Sequence, residues 1–452
     1  MTKDYIILEA TLTICNECQK KVEWKIIQKK DGIFIKKFCP IHGIQEEILE
    51  ENPEYFKKKS LYYKPWTSCE TQTQYNKWCP RDCWLCPHHE QHTCIWLIEI
   101  TNHCDLKCPT CYASSWKWNF LDIQTIEKMM DFYQKTEDNT ADILQISGGE
   151  PTTHPDILEI LHLAKTKNFK YIMLNTNGLR IANDEDFVKK LWEFKLWFEV
   201  YLQFDGFKNT TYESLRGKNI LKEKLQAIKN LQKYKIPTTL VSTIQSWIND
   251  DEIWEIVKFW LQEEYIRWIN FQPVAFFGRW PKERKNRTTL SGIIDRLEKQ
   301  SDGLITFDDV IPLPCDPDRV ALTYLHKKKD IWKPIVHHID VSKNLGSIKN
   351  TFAFDLRDII QEKKQWDCCS GVCNPWAWLT KILEPKLILM SKQEQSDYVN
   401  NNFFRVSIKS FIDIYNFDIQ SVQKDCVHII TPDLKKIPFS TYNMFYRSKN
   451  NF

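Results

Sequence analysis

Glycine is scarce, 12 residues in 452, so the adjacent pair Gly148-Gly149 carries unusual weight. No apolar run reaches spanning length, which argues against a membrane-crossing helix. The first ten residues are too polar and too short for a signal peptide, and the expected location is the cytoplasm. Charge of one sign is also lacking. Lys+Arg 62 against Asp+Glu 59 leaves a formal +3, and with it no general electrostatic case for nucleic-acid binding. Low-complexity runs and long repeats are absent.

Cysteine is what the chain has in excess, 16 residues. Secreted disulfide scaffolds are short and carry a signal peptide, and neither description applies. The thiols are therefore expected as metal-held thiolates in a reducing compartment. The aromatic content, 18 Trp, 25 Phe and 17 Tyr, supplies bulk for large cores and for lining an apolar substrate cavity. A chain of this length is expected to form two or three domains.

Four regions separate by pattern. Residues 1–60 hold Cys15-x2-Cys18 and Cys39-Pro40-Ile41-His42-Gly43. Between them an alternating stretch, Val22 to Phe38, reads as a hairpin around Asp31-Gly32. Two metal-binding turns on a hairpin describe a rubredoxin-like or zinc-ribbon knuckle with ligands Cys15, Cys18, Cys39 and His42. Zinc and a single iron both fit. The metal would hold together a module too small to fold on its own core. Residues 61–95 have little periodicity and look like loops organised around a cofactor. From about 96 to 300, strand-like and amphipathic helical runs alternate. The strands are expected at Ile95–Thr101, Asp142–Ser147, Tyr171–Thr176, Phe198–Asp205, Thr238–Ile244 and Arg267–Pro273. Helices are expected at Ile123–Tyr133, Asp156–Lys165 and Leu221–Tyr234. Such repetition predicts an α/β fold, a partial (β/α)6 barrel with its chemistry at the carboxyl ends of the strands. Residues 301–452 read as an α+β domain.

The same spacing, C-x3-C-x2-C, occurs twice, at Cys79/Cys83/Cys86 and at Cys104/Cys108/Cys111. Three thiolates so spaced can bind three irons of a cubane cluster and leave the fourth open to chemistry. A zinc knuckle is the competing reading of either triplet. The second triplet follows an apolar run, and the next strand ends in Gly148-Gly149-Glu150-Pro151, so the chemistry is placed there.

The segment Ile98 to Ala113, with Tyr112 after the third cysteine, resembles the signature of radical S-adenosylmethionine (SAM) enzymes. Gly148-Gly149-Glu150-Pro151 resembles that family's GGEP element. The resemblance implies a [4Fe-4S] cluster on Cys104, Cys108 and Cys111 whose open iron takes SAM, which is cleaved reductively to a 5′-deoxyadenosyl radical. It implies that Gly148 and Gly149 let backbone approach the methionine amino group and that Glu150 accepts a hydrogen bond from it. Asn175 and Asn177 on the third strand, and Gln203 and Asp205 on the fourth, are expected near SAM, although an Asn-Gly turn explains the former equally well. Arg216 could pair with the SAM carboxylate through its planar fork or lie on the surface.

The string from Cys79 to His88, with His92-Thr93, narrows the resemblance to the group containing tetraether lipid synthase and 7,8-dihydro-6-hydroxymethylpterin dimethyltransferase. So do Phe404–Ile408, Asp413–Asp418 and Cys426-Val427-His428 near the end. An auxiliary [4Fe-4S] cluster on Cys79, Cys83 and Cys86 is implied, with Cys69, Cys94 or His92 as fourth ligand. Asp425 and Ser440 stand where the group suggests cysteines. Cys315, Cys368, Cys369, Cys373 and Cys426 are then either ligands of a further cluster or buried small hydrophobes. The implied activity is hydrogen abstraction from an unactivated carbon, leading to C–C bond formation or methyl transfer on a lipid or pterin-like small molecule. A ferredoxin or flavodoxin donor and peripheral membrane contact go with it. A peptide-modifying radical SAM maturase and a non-catalytic zinc-knuckle binding protein are the alternatives.

Overall fold

The computed structural model describes residues 4–65, 67, 70–115, 118–137, 142–280, 287–338, 350–351 and 390–447. At its start, β1 (Ile6–Ile14), β2 (Lys21–Lys29), β3 (Gly32–Cys39) and β4 (Gly43–Glu50) pair antiparallel in chain order. The expected hairpin is β2–β3. Gly32 has φ +146°, and a Cβ there would meet Glu50 O at 2.6 Å, so this turn requires glycine. Trp24, Ile26, Ile33 and Ile35 form the ribbon's small core. α1 (Pro53–Ser60) follows, with the Asn52 side chain accepting from Glu54 N and proline in its first turn.

The barrel is built from β5 (Ile95–Glu99), α2 (Ile123–Thr136), β6 (Ile143–Ser147), α3 (Ile157–Thr166), β7 (Tyr171–Thr176), α4 (Leu179–Asn183), α5 (Glu185–Leu191), β8 (Phe198–Gln203), α6 (Asn209–Arg216), α7 (Leu221–Lys233), β9 (Thr238–Ile244), α8 (Ile253–Trp260), β10 (Ile266–Pro273) and α9 (Leu290–Gln300). Strands β5 to β10 are parallel neighbours in chain order, the expected partial (β/α)6 arrangement. Strand alternation divides two apolar cores. Ile146, Leu174, Leu202 and Leu240 pack under the helices. Leu97, Met173, Tyr201 and Val241 face the barrel interior.

The C-terminal part comprises β11 (Ile311–Pro312), β12 (Val320–Lys328), β13 (Ile331–Pro334), α10 (Lys392–Asn402), β14 (Phe403–Lys409), α11 (Ile419–Gln423), β15 (Val427–Ile430), β16 (Lys436–Pro438) and α12 (Phe439–Thr441). It is α+β as expected, but its strands continue the barrel sheet. β14 runs parallel beside β10 and antiparallel to β12, while β15 runs parallel beside β5. The extensions from the two sides meet over the interior, where Phe411 and Phe439 lie 4.8 Å apart between ring centres. Among the described residues, no helix is long and apolar enough to cross a membrane.

Candidate active site at the barrel mouth and candidate metal centres

The inward-facing residues change character along each strand. Leu97, Met173, Tyr201 and Val241 lie deep, whereas Glu99, Ser147, Asn175, Gln203, Thr243 and Gln272 end the six strands. The register aligns them: Glu99 is opposite Ser147, and Thr243 is opposite Gln272. A polar ring thus marks the carboxyl end, where α/β barrels place their chemistry, and the layer below it mixes Leu97, Met173 and Val241 with Gln145, Tyr201 and Asn270.

The loop carrying Cys104, Cys108 and Cys111 leaves β5 at this ring. Backbone contacts seat it: Gly149 N donates to Thr101 O at 2.8 Å, and Glu150 N to His103 O at 2.7 Å. A Cβ on Gly148 would meet Thr101 O at 2.2 Å, and one on Gly149 would meet His103 O at 2.1 Å. The Gly-Gly pair therefore lets the cysteine loop lie directly on the end of β6. On the far side, Cys111 and Arg279 exchange backbone hydrogen bonds of 3.0 and 2.8 Å. The Arg279 side chain donates to Cys108 O and Ser115 O, both at 3.1 Å. Gly278, at φ +67°, passes so close that a Cβ would meet Cys111 O at 2.3 Å. The three thiols are half-buried at the mouth. Burial pushes the Cys104 and Cys108 thiols upward, with the Arg216 cation opposing at Cys108. Three thiols on one clamped loop, partly open to the mouth, could hold three irons of a cluster.

Tyr112 Oη lies 3.2 Å from Ser147 Oγ, which accepts from Asn175 Nδ2 at 3.0 Å. Burial raises the Tyr112 phenol. Asn177 donates through its side chain to Asp105 at 2.6 Å and through its backbone to Glu150 Oε2 at 2.7 Å. Glu150 is fully buried and is used within the chain. Oε1 accepts from Thr152 N, Thr152 Oγ1 and Thr176 Oγ1 at 3.1, 2.6 and 2.7 Å. Its carboxylate ties the end of β6 to the end of β7. The fork of Arg216, read from sequence as pairing with the SAM carboxylate or as lying on the surface, is closed on Asp205. Nε and Nη2 donate to its two oxygens at 2.8 and 2.7 Å, and Nη2 also reaches Thr243 Oγ1 at 2.9 Å. Asp205 in addition accepts from Gln203 and from Thr243 N.

Sequence reasoning missed three groups here. Lys224 is fully buried on α7 and donates to Asn177 O and, at 2.7 Å, to Gln203 Oε1. Its burial lowers its pKa to about 8 against the pull of Asp205. Its signal was position: it lies in the apolar stripe of α7 with Ala227, Ile228 and Leu231. The other two are Glu99 and Arg447, joined by bidentate hydrogen bonds of 2.9 and 2.7 Å, with the guanidinium 5.8 Å from the Tyr112 ring centre.

In the ribbon, Cys15, Cys18, Cys39 and His42 converge, with all ligand atoms within 4.8 Å. His42 Nδ1 lies 3.4 Å from Cys15 Sγ and 3.5 Å from Cys39 Sγ, and Cys18 Sγ lies 3.8 Å from Cys39 Sγ. A tetrahedral ion with metal–sulfur bonds of 2.3 Å separates its sulfurs by about 3.8 Å, so the four donors fit one ion. Although burial opposes ionisation of Cys39, hydrogen bonds from Ile41 N, His42 N and the His42 ring outweigh it and lower the thiol to about 6.

Cys79, Cys83 and Cys86 are buried near the C-terminal helices, and Cys83 N donates to Tyr446 Oη at 3.3 Å. Cys94, expected as a possible fourth ligand there, groups elsewhere. Its sulfur lies with those of Cys315 and Cys426, all within 4.8 Å. Cys94 immediately precedes β5. His92 Nε2 lies 3.8 Å from Cys94 Sγ. His89 is buried 3.0 Å from His428, and His88 stacks edge-on with Tyr75, neither among the metal groups. Cys69, Cys368, Cys369 and Cys373 lie outside the described residues.

Known proteins match these features. A family described as the radical SAM superfamily matches residues 98–259, and the HMPTM N-terminal zinc ribbon domain matches residues 7–51. The chain is 32% identical over 480 residues to 7,8-dihydro-6-hydroxymethylpterin dimethyltransferase of Methanocaldococcus jannaschii, covering 97% of this chain and 94% of that one. It is 29% identical over 167 residues to a probable GTP 3′,8-cyclase of Pyrococcus horikoshii, covering 36% of this chain and 50% of the relative. Among solved structures, SuiB of Streptococcus suis bound to precursor peptide SuiA shares 13% identity at a TM-score of 0.41, covering 96% and 85% of the two chains. That likeness is too loose to bear on function.

Proposed function

We propose, from the premise that the chain belongs to the radical SAM superfamily and to the pterin dimethyltransferase family within it, that it methylates an unactivated carbon of a pterin-like substrate. It is a radical SAM enzyme of the methyltransferase-like kind, and its superfamily works with a [4Fe-4S] cluster and SAM. When bound, that pair supplies a one-electron cleavage of SAM and a 5′-deoxyadenosyl radical able to abstract hydrogen. The match to the pterin enzyme along nearly the whole chain carries the reading.

In this reading Cys104, Cys108 and Cys111 hold the cluster. Gly148, Gly149 and Arg279 keep their loop seated on the strand ends, where the cluster would supply its chemistry. Glu150, Asn177, Lys224, Gln203, Asp205 and Arg216 form a continuous hydrogen-bonded wall beneath the loop. Preorganised polar groups of this kind orient a reactant without rearranging as it reacts. Their backbone and remaining side-chain polar positions offer partners for SAM, while Tyr112, Ser147 and Asn175 border it. The ring of Glu99, Ser147, Asn175, Thr243 and Gln272 suits a flat heterocycle with several donors and acceptors better than an alkyl chain.

The ribbon donors hold zinc or a single iron, and Cys79, Cys83 and Cys86 hold an auxiliary cluster. A small ferredoxin or flavodoxin supplies the electron. The test is anaerobic turnover with reductant, SAM and substrates deuterated at carbon. Deuterium should enter 5′-deoxyadenosine from 6-hydroxymethyl-7,8-dihydropterin. Transfer solely from an isoprenoid ether lipid would move the substrate to the lipid class. Absence of reductive SAM cleavage in iron-replete protein would remove the reading altogether.

A further inference from the structure

Three cysteines from the two flanks of the sheet meet at one point. Cys315 follows β11 on the flank that ends in β11 and β12. Cys94 immediately precedes β5, and Cys426 precedes β15, on the opposite flank. Their sulfurs all lie within 4.8 Å of one another, and the residues are at most 1% exposed. The approach is fixed by backbone, since Cys94 N donates to Cys426 O at 2.9 Å.

We propose that Cys94, Cys315 and Cys426 form a further metal centre, holding one thiophilic ion, zinc or iron, that staples the two flanks of the barrel sheet together. Three thiolates within that span fit one tetrahedral ion, as the ribbon donors do. A nitrogen donor stands beside Cys94, outside the span shared by the three sulfurs, and would move in to complete the set. His92 Nε2 lies 3.8 Å from Cys94 Sγ, and its Nδ1 lies 2.8 Å from Thr67 Oγ1, the kind of outer partner that fixes a ligating ring. The site is separate from the mouth, because Cys94 precedes β5 whereas Cys104 follows it. This inference does not depend on the substrate or on SAM cleavage.

The test uses the full chain purified anaerobically, as wild type and as Cys315→Ala and Cys426→Ala variants. Metal is counted by plasma mass spectrometry and acid-labile sulfide by colorimetry. Each variant should lose roughly one metal ion per chain with no loss of sulfide, since a single-ion site contains none. Unchanged metal would identify the three thiols as core packing and overturn the proposal. Loss of sulfide along with several irons would replace it by a cluster. Should the variants fail to fold, the wild-type protein answers through its metal and sulfide counts taken together, because a cubane cluster holds as many irons as sulfides. Metal in excess of acid-labile sulfide by roughly two ions per chain, the ribbon's and this one, is expected, and an excess of one alone would overturn the proposal.

Discussion

Arg216 closes both prongs of its guanidinium on the carboxylate of Asp205, at 2.8 and 2.7 Å, with Asp205 fully buried. The pair joins α6 to the end of β8 and, through Thr243, to β9. Removing one partner leaves the other charge buried, which costs about 3–5 kcal/mol in such settings. Arg216→Met should therefore lower unfolding free energy by about that amount, and Arg216→Lys should restore only part because lysine cannot make the fork. The Asp205→Asn, Arg216→Met double variant should be less destabilised than the sum of the singles. Denaturant melts of the four proteins check this; strict additivity would show that the pair contributes no coupling.

Gly149 presses against the cysteine loop, and a methyl group there would sit 2.1 Å from His103 O. The contact is with backbone, so the loop itself must move. Gly149→Ala should fold with its helices intact by circular dichroism and yet bind fewer irons on reconstitution, with SAM cleavage falling at least about tenfold, as displacements of this size at reacting centres do. Full iron loading and normal cleavage would mean the loop has room to shift.

The barrel was legible because parallel strands covered on both faces read as apolar runs and the helices between them as amphipathic stripes. Ile143–Ser147, Tyr171–Thr176 and Thr238–Ile244 form where the pattern placed them, within a residue or two. The ribbon donors were legible from spacing alone, because each half of the set lies on one short turn. Contacts made by distant segments were not legible. No local pattern links Glu99 to Arg447, or Cys94 to Cys315 and Cys426, because their meeting is decided by where the last strands join the sheet. Lys224 was hidden for another reason. A lone lysine in an apolar stripe reads as an interruption until its ammonium is seen to reach the strand ends.

Glu99 and Arg447 anchor the final described turn to the first barrel strand beside Tyr112. Glu99 is 4% exposed, so an uncompensated carboxylate would remain inside the mouth if the arginine were lost. Arg447→Met is expected to destabilise by about 3–5 kcal/mol and Glu99→Gln, Arg447→Met by clearly less. Limited proteolysis should first cut the single variant near its C terminus. Equal protease resistance in wild type and Arg447→Met would show that the turn is held by packing alone.

Lys224 gives the pH dependence its sign. Burial holds its folded pKa at about 8, below the ordinary 10.5, with Asp205 pulling the other way. Below about pH 8 both folded and unfolded chains carry the proton, and burying the charge costs on the order of 3 kcal/mol. Between about pH 8 and 10.5 the unfolded chain binds more protons at this site than the folded one, so its contribution to stability rises with pH. Lys224→Met removes that rise. It also leaves Asn177 O and Gln203 Oε1 without their donor, a cost of about 1–3 kcal/mol each that offsets part of the relief. The unfolding free energy of wild type minus that of Lys224→Met should therefore climb from pH 8 towards 10.5 and stay flat between 6 and 7.5. At neutral pH the variant should approach wild-type stability while SAM cleavage drops, because the wall under the cysteine loop has lost its central donor. Parallel stability curves across the whole range would mean that Lys224 titrates normally and reaches solvent.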